Sequence, residues 1–185
     1  MATNRTVAVV VGSLRKDSYN RKLGKALADL APKHLSFDFV DIGALQLYNQ
    51  DLDAAPTAEW TAFRERIKKA DAVLFVTPEY NRSVPGVLKN AIDVGSRPYG
   101  ASVWSKKPAA VVSSSIGGIS GFGANHHLRQ SLVFLDMPTM DQPEAYIHVS
   151  DKFFDAEGKI ADERSRGFGQ TIMTSFATWI QTHLG

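Results

Sequence analysis

The residues best suited to chemistry in this chain stand in one short stretch, Gly12-Ser13-Leu14-Arg15-Lys16-Asp17-Ser18-Tyr19-Asn20. Ser13, Ser18 and Asn20 offer compact hydroxyl and amide groups, and Arg15 offers a forked cation, an inventory that suits a terminal phosphate. An apolar, β-branched run (Val7, Val9, Val10, Val11) precedes the stretch, and Leu23, Ala26, Leu27 and Leu30 follow it at helical spacing. Strand, polar loop and helix together aim the free N–H groups of a helix N-terminus at whatever the loop holds. The loop is not G-x-x-x-x-G-K-[ST], and its single glycine cannot make G-x-G-x-x-G. The plainer reading of the same residues is a helix N-cap with Arg15 solvated at the surface.

The bulk of the sequence narrows the class. With 185 residues, 44% of them hydrophobic, residues 1–185 are expected to form one domain with an adequate core. No apolar stretch is long enough to span a bilayer and no signal-peptide pattern opens the chain, so no membrane partner is expected. The absence of cysteine excludes disulfides and thiolate chemistry and fits a cytoplasmic location. A net charge of +2 is too small to argue for nucleic acid. Residues 1–25 nevertheless carry Arg5, Arg15, Lys16, Arg21, Lys22 and Lys25 against Asp17 alone, a local field that favours anionic ligands.

Further along, residues 36–42 read as a strand, 51–56 as a loop and 60–70 as a helix carrying Trp60, Phe63, Ile67 and Ala70. The run 72–76 is continuously apolar, as expected of a strand buried on both faces of a parallel sheet. It enters the polar segment 77–83. Pro85 then stands where a helix begins, with Ser83 as a possible cap, and Val87, Leu88, Ala91 and Ile92 follow. Residues 109–113 form the next strand and lead into a glycine-rich loop over 113–123; Leu128, Leu132 and Leu135 mark a further helix. The segment 139–149 is expected to hold the last strand, interrupted by Pro138 and Pro143. Phe168, Ile172, Phe176, Ile180 and Leu184 make a closing helix, and its apolar stripe, like Trp179, is taken as core. Five strands alternating with five helices predict a doubly wound α/β fold: a five-stranded parallel sheet in the order 2-1-3-4-5 with helices on both faces.

In such a sheet, ligands bind beyond the carboxyl ends of the strands near the switch in strand order. The three loops richest in polar residues and glycine follow the first, third and fourth strands, which are neighbours in that order and so line one crevice. Pro78-Glu79-Tyr80-Asn81 offers a flat aromatic and a proline-stiffened backbone. Gly117, Gly118, Gly121 and Gly123 let backbone approach a ligand closely. A phosphate grip at one end and a planar slot at the other describe a mononucleotide with a large ring, and flavin mononucleotide (FMN) fits best.

The motifs carry a resemblance. Gly-Ser-x-Arg-x-x-Ser-x-Asn at 12–20, Thr-Pro-Glu-Tyr-Asn-Arg-Ser-Val-Pro-Gly-Val-Leu-Lys-Asn-Ala-Ile-Asp at 77–93, the Ser-Ser-x-Gly-Gly loop, and His-Leu-Arg-Gln-Ser-Leu-Val-Phe-Leu-Asp at 127–136 resemble the NAD(P)H-dependent FMN reductase family, and its bacterial quinone/chromate reductase branch in particular. The resemblance implies a flavodoxin-like fold, bound FMN, NADPH or NADH as electron donor, and a homodimer or homotetramer with flavin sites near the subunit interface. It implies that Ser13, Arg15, Ser18 and Asn20, with Tyr19 between them, hold the phosphate. Pro78, Glu79, Tyr80 and Asn81 then border the isoalloxazine, with Ser115, Gly117 and Gly118 on its other side. The sequence departs from the family pattern at Met137–Met140, and Arg82 stands where the family varies.

With FMN bound, the hard chemistry belongs to the cofactor. The expected cycle is ping-pong: hydride passes from nicotinamide to flavin N5, and electrons then pass to small-molecule acceptors such as quinones, azo or nitro compounds, free flavin or chromate. No catalytic side chain is required. His126 and His127 are adjacent, so on a helix they diverge by about 100° and do not share one metal. Arg129 and Asp136 are expected as surface or interface charges, and Tyr99 and Arg97, in the turn-rich connection, are candidates to reach a partner subunit or the nicotinamide whose role spacing does not assign. The rival readings are a flavodoxin-type electron carrier, which such carriers' usual acidity disfavours in this mildly basic chain, and a redox-silent module on the same fold.

Overall fold

The computed structural model describes residues 3–185. Five parallel strands, β1 (Arg5–Val11), β2 (Leu35–Val40), β3 (Ala72–Thr77), β4 (Ala109–Ser115) and β5 (Ala145–His148), form one sheet in the order β2-β1-β3-β4-β5. The helices α1 (Tyr19–Leu30), α2 (Ala58–Lys69), α3 (Gly86–Ser96), α4 (Phe122–Phe134) and α5 (Glu163–Leu184) alternate with the strands, and a short 3-10 turn (Gln50–Leu52) interrupts the loop before α2. This is the doubly wound arrangement expected from the alternation of apolar runs and helical stripes, and the flavodoxin-like fold that the resemblance implies.

The period of two along a strand decides which helix meets which residue. On β1, Val7, Val9 and Val11 pack with Leu23 and Leu27 of α1 and with Ile172, Phe176 and Ile180 of α5. Ala8 and Val10 face the opposite layer, with Trp60, Phe63 and Ile67 of α2, Leu88 of α3, and Leu128 and Leu132 of α4. Two apolar layers therefore sandwich the central strands, and every residue of β3 is buried. Each fully buried Leu, Val or Phe contributes about 1.5–3 kcal/mol of apolar transfer free energy. That burial holds the carboxyl ends of β1, β3 and β4 side by side, with Val11 opposite Val76 and Thr77 opposite Ser113.

Two local expectations are corrected and one, the last strand within 139–149, is narrowed. Ser83 does not cap α3: Pro85 is the N-cap, with no side-chain cap bond, and the Ser83 hydroxyl meets His127 Nδ1 at 3.0 Å instead. The last strand is confined to four residues, Ala145–His148, after Pro143. Residues 138–140 instead run beside the start of β4, where Ala109 donates to Pro138 and accepts from Met140 at 2.9 and 2.8 Å. Arg129 is a strut rather than a free surface charge, donating to Asn125 Oδ1 (2.8 Å) and to the Met140 carbonyl (2.9 Å). Between β5 and α5 lies a turn-back that the apolar periodicity does not signal. It is closed by Phe154 opposite Ile160.

Candidate functional site

The loop from Gly12 to Ser18 leaves β1 tethered at its first residue, where Gly12 N donates to the Val76 carbonyl at 2.9 Å. It ends at Ser18, the N-cap of α1, whose Oγ accepts from Arg21 N at 3.2 Å. That bond uses a lone pair and leaves the Ser18 O–H free to donate. Ser13 and Ser18 are buried, Arg15 is exposed, and neither Ser13 nor Arg15 makes a side-chain hydrogen bond among the described residues. Asn20 is held by its oxygen: Ser114 Oγ donates to Asn20 Oδ1 at 3.0 Å, which leaves the amide NH2 uncommitted. The result is a ring of unused donors at the positive end of a 12-residue helix.

These residues open into a crevice of about 230 Å³ lined by Ser13, Arg15, Ser18, Tyr19, Asn20, Pro78, Tyr80, Ser114, Ser115, Ile116 and Val149. The loops after β1, β3 and β4 thus meet at one edge of the sheet. Of the residues picked out from the sequence, Ser13, Arg15, Ser18, Tyr19, Asn20, Pro78, Tyr80 and Ser115 line this crevice. Glu79, Asn81, Gly117 and Gly118 belong to the same loops without lining it. Ser114, Ile116 and Val149 were missed. Ser114 is a buried hydroxyl inside a strand, which in sequence looks like any other core serine.

Tyr19 stands at the crevice edge, where its O–H donates to the Asp151 carboxylate and its ring stacks on Phe154 at 6.4 Å. The bond to Asp151, followed by burial, raises the phenol above its ordinary pKa, so Tyr19 remains a neutral donor. The loop after β3 is a tight hairpin: Tyr80 and Ser83 exchange backbone bonds of 3.1 and 2.9 Å. Asn81 and Arg82 between them both have positive φ, 50° and 64°, the geometry of a two-residue primed turn. Glu79 turns away from the crevice. Its side chain is 8% exposed, Oε2 accepts from Ala124 N at 3.0 Å, and Oε1 accepts from Arg82 Nη1 at 2.8 Å. Burial works to raise this carboxyl, but the Ala124 N–H, the Arg82 guanidinium and the Gly123 N–H outweigh it and hold the group below the ordinary glutamate range.

The glycine-rich loop after β4 divides in two. A Cβ on Gly118 would meet nothing within 4 Å, and one on Gly117 only Ser115 Oγ at 3.5 Å. Gly121 has φ +80° and would drive a Cβ to 2.9 Å from Ser113 Cβ, while a Cβ on Gly123 would lie 2.8 Å from the Arg82 carbonyl oxygen. Gly121 and Gly123 therefore serve the close packing of the chain itself, contrary to the expectation that all four admit a ligand. His126 Nε2 meets Tyr146 Oη at 2.9 Å, Tyr99 is exposed, and the Arg97 guanidinium lies over the Tyr48 ring. None of these residues borders the crevice.

A family model described as NADPH-dependent FMN reductase matches residues 5–152. The chain belongs to that family. This reductase is 62% identical over 177 residues to a quinone reductase of Pseudomonas putida, with 95% of each chain covered. It is 51% identical over 175 residues to a 2-hydroxy-1,4-benzoquinone reductase of a Burkholderia species, covering 95% of this chain and 96% of that one. Among solved structures, the flavoenzyme NAD(P)H:(acceptor) oxidoreductase FerB of Paracoccus denitrificans superposes with a TM-score of 0.93 at 45% identity, over 97% of this chain and 98% of that one. The reductase is an NAD(P)H-dependent oxidoreductase with FMN as its cofactor. No helix among the described residues is long and apolar enough to cross a membrane.

Proposed function

We propose that the crevice at the carboxyl edge holds FMN and that the enzyme passes electrons from NADPH or NADH to quinones. The observation that carries this reading is the uncommitted donor set of the first loop. Ser13, Arg15, the Ser18 hydroxyl proton and the Asn20 amide NH2 line one cavity at the N-terminus of α1, and among the described residues no protein acceptor takes them up. They would bind the phosphate, with Tyr19 beside it. Pro78, Tyr80 and the backbone of Glu79 and Asn81 would border one side of the ring, and Ser115, Gly117 and Gly118 the other. The chemistry supplied by bound FMN is hydride acceptance at N5 and return of electrons to an acceptor.

The protein's share is placement. Ser114 locks Asn20 toward the phosphate loop from β4, and the hairpin at Tyr80–Ser83 keeps the ring-side turn rigid. Tyr80 is 51% exposed and Ile116 is 70% exposed, so the crevice is open between them. Donor and acceptor then use that opening in turn, which gives ping-pong kinetics and weak selection among acceptors, extending to azo and nitro compounds, free flavin and chromate. The quinone reductases among the relatives support quinones as the first acceptors to assay.

The same reading treats residues 1–185 as one FMN-binding domain. It is supported by Arg5 of β1, which donates to the carbonyls of Leu184 and Gly185 at the end of α5. It places the enzyme in the cytoplasm, in keeping with a cysteine-free sequence. It also carries a homodimer or homotetramer, supported by Val133 and Phe134, which stand 75% and 85% exposed side by side on α4.

The test is spectroscopic. Purified protein is titrated with FMN, then with NADH or NADPH, then with 1,4-benzoquinone. Flavin bands that bleach with a nicotinamide and return with the quinone are expected, with parallel lines in double-reciprocal plots. Flavin that stays yellow under excess of both nucleotides would identify a carrier, and failure to take up FMN would overturn both redox readings.

A further inference from the structure

Glu79 lies in the turn that would border the flavin, yet its carboxylate points elsewhere. Along the extended segment after β3, successive side chains alternate. Pro78 and Tyr80 line the crevice, and Glu79 between them is directed into the first turn of α4. That helix lacks its own cap: Gly121 has no side chain to offer, and the first turn holds no acidic residue. The Glu79 carboxylate takes that place from 45 residues away in sequence, accepting from Ala124 N at 3.0 Å. Its other oxygen accepts from Arg82 Nη1 at 2.8 Å, which ties the hairpin back on itself. Gly123 permits the approach, since a Cβ there would lie 2.9 Å from Glu79 Oε2. A second link, His127 Nδ1 to Ser83 Oγ at 3.0 Å, joins the same turn to the same helix.

We infer that Glu79 is a positioning residue that clamps the turn at Pro78–Ser83 to the N-terminus of α4, so that the loops after β3 and β4 form two walls of fixed separation. The inference rests on the proposed placement of the flavin ring between those walls. Glu79 acts through Pro78, Tyr80 and the start of α4, not by contact with the ring. Its burial and charge-assisted bonds make it a stronger tie than a solvated carboxylate. Arg82 gains a role by the same geometry, holding the second carboxylate oxygen so that the charge is met on both sides.

The experiment compares wild type, Glu79→Ala, Glu79→Gln and Glu79→Asp by three readouts. These are FMN affinity from flavin fluorescence quenching, visible circular dichroism of the bound flavin, and melting of the FMN-free protein. Glu79→Ala is expected to weaken FMN about tenfold, the scale of one charge-assisted hydrogen bond withdrawn from the support of a binding surface, and to alter the visible dichroism. Glu79→Gln keeps an oxygen for Ala124 N and should restore affinity to within about threefold of wild type. Glu79→Asp keeps the charge but is one methylene short, so it should resemble the alanine variant, and it carries the test if Glu79→Ala does not fold. Lowered melting with unchanged FMN affinity and dichroism would reduce Glu79 to a helix cap and overturn the inference. A wild-type protein that takes up no FMN would overturn the reading of the crevice itself.

Discussion

The two ends of the crevice commit their polar groups in opposite ways. At the turn between β1 and α1, Ser13 and Arg15 bond to nothing else among the described residues, and Ser18 and Asn20 each keep a donor in reserve. At the turns after β3 and β4, Glu79, Arg82, Ser83, Gly121 and Gly123 are taken up by the protein: a carboxylate on a helix N-terminus, a guanidinium on that carboxylate, a hydroxyl on His127, and glycines packed against neighbouring atoms. A count of polar residues rates the two ends alike. Their hydrogen bonds separate a loop of uncommitted donors from a scaffold braced by the chain itself.

The largest expected effect lies at the grip. Arg15→Ala combined with Ser18→Ala removes one charged and one neutral donor, and should weaken FMN by at least about thirtyfold, at about 1–3 kcal/mol for each donor lost. Fluorescence titration reads it, and an unchanged affinity would erase the distinction between the two ends. Melting of the FMN-free protein separates the components. Loss of the Ser18 cap should cost about 1 kcal/mol, whereas Arg15→Ala alone, at an exposed position, should stay within about 0.5 kcal/mol.

Glycine substitutions sharpen the contrast within the second end. Gly121→Ala forces a side chain into a positive-φ position against Ser113 and should destabilise the FMN-free protein by about 1–3 kcal/mol. Gly117→Val would bring its Cβ into no more than ordinary contact with Ser115 Oγ, at 3.5 Å, so its melting should move by no more than about 0.5 kcal/mol. Its FMN affinity should fall about tenfold, the cost of crowding a ring-facing backbone. Full affinity in Gly117→Val would move that loop away from the flavin.

A smaller effect follows pH. The Glu79 carboxyl is held below its ordinary value in the folded protein, so the stability it adds is present above about pH 4.3 and is lost as pH falls through its folded pKa. The melting advantage of wild type over Glu79→Gln should therefore be constant near neutrality and shrink below about pH 4.3. An advantage that persists undiminished to pH 3 would contradict the assigned bonds. Smallest of all, Tyr19→Phe deletes one partly exposed hydroxyl bond to Asp151 and should alter FMN affinity by less than about fivefold.

The legible part of this molecule was its frame and its first loop. Val7–Val11 and Ala72–Val76 are unmixed apolar runs, and the stripes of α1 and α5 have an undisturbed helical period, so the doubly wound class follows from pattern, and the crevice follows once the order 2-1-3-4-5 is taken for it. Residues 12–20 were legible as a cluster of donors at a helix start because the strand end, loop and helix cap that present them are contiguous in sequence. The destination of Glu79 was not, because its partner is a backbone N–H, which has no signature in residue type and lies 45 positions away. Gly121 and Gly123 were misread for a related reason: glycine records that something approaches closely, but not whether it is ligand or chain. The strut role of Arg129 and the four-residue β5 depend on how residues 138–140 lie against β4, and Pro138 and Pro143 obscure the period there.

The most direct test of the central claim is the ratio of the dissociation constants of riboflavin and FMN, measured for wild type and for Arg15→Ala/Ser18→Ala. The two ligands share the ring and differ in the phosphate alone. The account predicts that wild type prefers FMN by at least about thirtyfold and that the preference collapses toward one in the double variant. Equal affinity in wild type, or a preference untouched by the double substitution, would place the phosphate somewhere other than the turn at Ser13–Asn20.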